Sequence, residues 1–184
     1  MWVLELKCFK SSINLKNNQI MKTSTLLIAM FIGFLTSSVT AQETIWFDSN
    51  WNLTTKDKAE YYRPSPKKMK NGFWLIDYYM SGKKQMEGFS TSKEPLKESF
   101  EGEVLYYHSN GNLFHKANYK NGKLEGKRDI YYESGELKDR GRYVKGKRNG
   151  IWKTFYKNGK IETKGKYSEG EKVGVWKTFY KNEN

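Results

Sequence analysis

Apolar and polar residues alternate with a period of two along much of the second half of this chain. Over Lys160–Tyr167, Ile161, Thr163, Gly165 and Tyr167 fall on one side, and Lys160, Glu162, Lys164 and Lys166 on the other. That pattern predicts a strand with one face packed and one in water. The preceding segment, Ile151–Tyr156, is rich in β-branched and aromatic residues. It carries Trp152 and Tyr156 on one side and Ile151 and Phe155 on the other, which predicts a strand covered on both faces by stacked neighbours. Asn158-Gly159 between the two segments matches a type I′ hairpin turn, and Ser168–Glu171 supplies a second turn. A different pattern lies near the start, where Leu26–Leu35 is an unbroken apolar run of ten residues. A membrane-spanning helix needs ~20, whereas a secretory signal core needs ~7–15.

The hairpin pattern recurs every 24 residues. Gly102, Gly126, Gly150 and Gly174 form one column, and Gly111, Gly135 and Gly159 a second. Tyr119, Tyr143 and Tyr167 form a third, and Trp152 and Trp176 share another. The units fall at 72–101, 102–125, 126–149 and 150–173, with a partial unit at 174–184. The first is lengthened around residues 90–101 and opens on Gly72-Phe73-Trp74 with one residue inserted. The periodic glycines read as hairpin turns. At Gly141 and Gly165 the absent side chain would let an aromatic residue from the next strand lie over the backbone. The expected fold is all-β, an elongated antiparallel β-hairpin repeat array whose units stack to bury their faces. Residues 42–71 lack the period and read as an N-terminal cap segment, with a separate functional element as the alternative.

Gly150–Ile161 follows the pattern Gly-x-Trp-x-x-[Phe/Tyr]-Tyr-x-Asn-Gly-x-[Ile/Leu] and closes on Gly-x-Tyr-x-x-Gly at Gly165–Gly170. This resembles the MORN repeat, in the variant found in bacterial YwqK-type antitoxin proteins. The resemblance covers about residues 72–184 and is most specific over 126–182. It implies an antiparallel β-hairpin array with a binding or scaffolding role, and the antitoxin label implies a toxin as partner. The second unit departs from the pattern, with Glu103-Val104 where the tryptophan would fall.

Lys22 before the apolar run and Val39-Thr40-Ala41 after it complete a signal peptide over 21–41, cut before Gln42. Residues 1–20 then read as an upstream extension from a miscalled start. The expected location is the periplasm, outer envelope or medium. Cys8, the only cysteine, would be lost on processing, so no disulfide or thiolate metal site is expected.

Charge sharpens this picture. Lys and Arg number 33 against 20 Asp and Glu, a net of +13. Residues 1–41 hold four Lys and one Glu, which leaves +10 after processing, and +9 of that lies in 102–184. Stacked units would align Lys116, Lys138, Arg140, Arg142, Lys160, Lys164 and Lys166 into a basic stripe on the water-facing side. Such a stripe attracts an anionic membrane surface or an acidic protein, or simply keeps a β face solvated. Export disfavours nucleic acid.

His108 and His115 occupy columns filled elsewhere by tyrosines and by Asp139 and Thr163, and too few ligands accompany them for zinc. There is no nucleophile elbow, P-loop, dinucleotide-binding glycine pattern or HExxH. No catalysis, cofactor or small-molecule substrate is therefore expected. The sequence points to a non-catalytic exported module that binds a protein or cell-envelope component. The alternatives are a membrane-surface adaptor and a partner-neutralising protein.

Overall fold

A computed structural model describes residues 43–180; the expected extension and signal peptide lie outside the described residues. The described chain forms twelve strands and no α-helix, with one 3-10 turn at Lys56–Lys58. The cap segment supplies β1 (Ile45–Phe47), β2 (Tyr61–Arg63) and β3 (Lys67–Met69). The repeats supply β4 (Gly72–Tyr79), β5 (Lys84–Ser90), β6 (Phe100–Tyr107), β7 (Leu113–Lys120), β8 (Lys123–Tyr131), β9 (Leu137–Val144), β10 (Lys147–Phe155), β11 (Ile161–Ser168) and β12 (Glu171–Thr178). They join one open antiparallel sheet, ordered β1-β2-β4-β5 and then sequentially to β12, with β3 beside β4. The two-strand unit expected from the periodicity is present in each of the four full repeats.

Two turn types alternate along the sheet, and the type I′ turn is not where Asn158-Gly159 led us to expect it. In that loop Gly159 N–H donates to the Tyr156 carbonyl at 2.9 Å, and Tyr156 N–H donates to the Lys160 carbonyl at 2.9 Å. Only Gly159 has positive φ (78°). This is a type I turn followed by one left-handed residue. Asn158 uses its side chain instead, Oδ1 accepting from Lys160 N–H at 3.0 Å. Two consecutive positive φ angles occur at the opposite side of the sheet, at Asn121-Gly122, Lys145-Gly146 and Glu169-Gly170. These are the type I′ turns. The column of Gly102, Gly126, Gly150 and Gly174 corrects a second expectation. These glycines lie inside strands β6, β8, β10 and β12, at positive φ beside shifts of register, and not in turns.

One row across the packed face explains the close approach of the strands. Leu75, Gly88, Val104, Ala117, Arg128, Gly141, Trp152, Gly165 and Trp176 follow one another from strand to strand. The return strands hold the small residues and the outgoing strands the large ones. A Cβ on Gly141 would fall on the Trp152 indole, and one on Gly165 on that of Trp176. In the first unit Leu75, not Trp74, stands opposite Gly88, because the inserted residue precedes this position. Tyr143, Trp152, Tyr167 and Trp176 continue as an edge-to-face ladder with centroids 5.0–5.5 Å apart. Tyr119 packs on Phe100 at 5.6 Å.

The second face is not covered as the outgoing-strand pattern predicted. Ile151 is 52% exposed, and the strands form a single layer. Units are instead tied side by side. Tyr79, Tyr132 and Tyr156 donate their hydroxyls to the carbonyls of Tyr107, Phe155 and Phe179 at 2.7, 2.8 and 2.9 Å. His108 fills the same column, its Nε2 lying 3.1 Å from the Tyr131 carbonyl, so the imidazole makes the bond a tyrosine makes elsewhere.

At the cap end the sheet closes on a core of Leu75, Met86 and Val104. Beside it Arg63 and Asp77 are 3% and 1% exposed. Nε and one terminal nitrogen of Arg63 donate to Asp77 at 2.5 and 2.9 Å, and the other donates to Glu98 at 2.5 Å. Burial pushes the Asp77 carboxyl up, against the opposing pull of Arg63.

Candidate functional site

Away from the packed row, the open face changes character along the sheet. One line of directly opposed residues runs Ile76, Glu87, Leu105, Lys116, Asp129, Arg140, Lys153, Lys164 and Lys177. In its first part the charges are matched. Lys116 pairs with Glu103 at 2.7 Å, and that bond raises its pKa. Arg140 makes a two-pronged bond to Asp129 at 2.8 and 2.9 Å. Burial pushes the Asp129 carboxyl up, but the Arg140 bonds outweigh this and hold it below the usual range.

Beyond Arg140 the line holds Lys153, Lys164 and Lys177 side by side. The next line adds Lys127 opposite Arg142, and Ile151 and Val173 flanking Lys166. Among the described residues no carboxylate forms an ion pair with Arg142, Lys153, Lys164, Lys166 or Lys177. Like charges directly opposed across strands destabilise the sheet by roughly 0.2–1 kcal/mol per pair. An anionic partner would remove that penalty.

Aliphatic residues form the floor between these cations. Ile151 is 52% and Val175 79% exposed, and with Val173 they line a shallow groove of about 440 Å³ edged by Lys164, Lys166 and Lys177. The seven residues of the expected stripe therefore separate. Arg142, Lys164 and Lys166 stand together on the open face, while Lys116 and Arg140 are held in ion pairs. Lys138 stands at a bulge with its nitrogen 5.4 Å from the Tyr132 ring centre, and Lys160 follows the hairpin turn. Lys153, Lys177, Val173 and Val175 were missed. Alternation along the outgoing strands carries their signal, apart from the lysine columns of the return strands and loops.

The packed face takes other cations out of the surface field. The Arg148 guanidinium lies 4.7 Å from the Trp152 ring and donates to the Tyr167 hydroxyl at 2.9 Å. Arg128 Nε donates to His115 Nε2 at 2.9 Å, and the imidazole stacks on Tyr106 at 5.1 Å. Burial and the neighbouring guanidinium lower the His115 pKa to about 4, so it stays neutral. Among the described residues, no group of three or more His, Cys, Asp or Glu is placed to hold a metal ion. No helix among them is long and apolar enough to cross a membrane.

Residues 100–121 and 148–169 match the family described as the MORN repeat variant. MORN repeats are present. The two matches coincide with the hairpin β6–β7 and with the hairpin β10–β11 from the second residue of β10 onward. No curated protein matches the chain. MORN repeats are in general modules that bind proteins or membranes, and a non-catalytic repeat protein agrees with the array described.

Proposed function

We propose that this chain is a non-catalytic docking module, exported by its signal peptide, which holds to an anionic surface of the cell envelope through the open face of its last three hairpin strands. The observation that carries the proposal is the groove of Ile151, Val173 and Val175 ringed by Lys164, Lys166 and Lys177. Aliphatic side chains between lysines suit a boundary where head groups are charged and the layer beneath is apolar. Each lysine near such a surface contributes about 1 kcal/mol, so three to five of them give reversible attachment.

Vesicle sedimentation tests this. Binding to vesicles with anionic lipid that fades between 50 and about 500 mM salt, and is absent on zwitterionic vesicles, is the expected result. Lys164→Glu with Lys166→Glu should abolish it. Binding that ignores lipid charge, or survives the double substitution, would refute the docking face. Export has its own check, since N-terminal sequencing of protein recovered outside the cytoplasm should begin at Gln42.

A further inference from the structure

A cleft at the cap end of the sheet, sharing no residue with the docking face, holds about 240 Å³. Met86, Phe100 and Tyr106 wall it, and Arg63, Asp77 and Glu98 form its floor. Two further residues line it, Trp51 and Leu96, with φ of 64° and 66°. Among the described residues, the other non-glycine residues at positive φ, Asn121, Lys145 and Glu169, belong to the two-residue hairpin turns.

Trp51 sits in a turn bonded like those of the repeats. Its N–H donates to the Asp48 carbonyl at 3.0 Å, and Asp48 N–H donates to the Asn52 carbonyl at 3.0 Å. In the repeats this place is filled by Gly82, Gly111, Gly135 and Gly159. Leu96 follows Pro95 in a turn where Lys97 N–H donates to the Glu94 carbonyl at 3.2 Å, a place that suits glycine or asparagine. Two turns thus carry large apolar residues where glycine would be unstrained, and both residues line one cleft. Leu96 is 58% exposed, so its own burial does not offset the strain.

The polar groups define what would fit. Each nitrogen of Arg63 donates to Asp77 or Glu98, so the floor has two carboxylates for one cation. Gln85 Oε1, in the wall, is buried without a hydrogen-bond partner. It needs a donor, and the aromatic rings beside it favour a flat apolar body.

We propose that this cleft binds a small aromatic amine, its ring held between Trp51 and Tyr106, its ammonium group donating to Gln85 Oε1 near the acidic floor, and Leu96 closing over it. An aromatic carboxylate of the same size is repelled by Asp77 and Glu98.

The test titrates the full chain, labelled with 5-fluorotryptophan, with 2-phenylethylamine and with 3-phenylpropionate. A saturable ¹⁹F shift of the Trp51 resonance, assigned with Trp51→Phe, is expected for the amine alone. Leu96→Gly and Gln85→Met should each weaken amine binding by about tenfold while the melting temperature stays level or rises. The first relieves a strained φ and the second removes a lone buried acceptor. No saturable shift with the amine, or equal binding of the carboxylate, would overturn the proposal. So would a fall in melting temperature in both variants, which would make the two residues folding elements.

Discussion

At the cap end, Leu75, Met86 and Val104 are enclosed beside a buried guanidinium and its carboxylates. From β8 onward no comparable enclosure exists among the described residues, and stability comes from aromatic rings laid over glycines and cations laid over rings. The open face follows the same division. Its charges are paired up to Arg140, whereas Arg142, Lys153, Lys164, Lys166 and Lys177 beyond it form no ion pair among the described residues. The cap end meets its buried guanidinium with carboxylates and leaves Gln85 Oε1 without a partner, whereas the last hairpins direct a row of lysines outward. A repeat can specialise in this way because its backbone is secured by columns that the outer face does not share.

Substitutions at the two ends should therefore fail for different reasons. The largest effect is expected at Asp77→Ala, which leaves the buried Arg63 with Glu98 as its one carboxylate and should cost about 3–5 kcal/mol in chemical denaturation. A loss below about 1 kcal/mol would mean that the cap end is not closed as described. Gly141→Ala places a methyl on the Trp152 indole and should cost about 1–3 kcal/mol. Gly88→Ala, in the same row, meets only the Val104 methyls, the nearest at 2.9 Å, and should cost less. Equal losses would erase the distinction between an aromatic ladder and an aliphatic core.

His115 stands between the two regions, and its acid response should come next in size. Its folded pKa of about 4 lies below the ordinary 6.5. As pH falls below 6.5 the unfolded chain takes up the proton first, so stability declines until both states are protonated below about pH 4. Solvent screening at this partly exposed ring keeps the loss to about 1–2 kcal/mol. Denaturation midpoints across that range should show the decline, and His115→Gln should flatten it. The smallest effect is expected at Gly159→Val, where space is open but φ is 78°. About 1 kcal/mol should be lost, and an unchanged melting temperature would contradict the turn assignment.

Much of the repeat region is legible in residue order alone, because each position is written several times. The small residues at Ala117, Gly141 and Gly165 announce that something lies over them, and Trp152 and Trp176 do. Register is harder to foresee. Pairing Lys116 with Glu103, or Arg140 with Asp129, depends on which residues face each other after a bulge, and alternation within one strand is blind to that. Glycine columns also look alike whether they close a turn or relax a strand, which is why the sequence of Gly102 and its equivalents reads as turns. The cleft was invisible for the opposite reason. Trp51 and Leu96 come from segments that occur once, with no column to compare them against, and Gln85 shares its column with Phe114, Lys138 and Glu162, which have nothing in common with it.

The side-chain ties from Tyr79, His108, Tyr132 and Tyr156 to the next unit carry a hereditary consequence. Every unit brings its own latch and its own landing carbonyl, so the join between any two units has the same form. Duplicating or deleting one repeat length of coding sequence would lengthen or shorten the sheet by a hairpin without misaligning either face. The lineage can thus change the extent of its outward surface in single steps, while the cap that starts the sheet stays as it is.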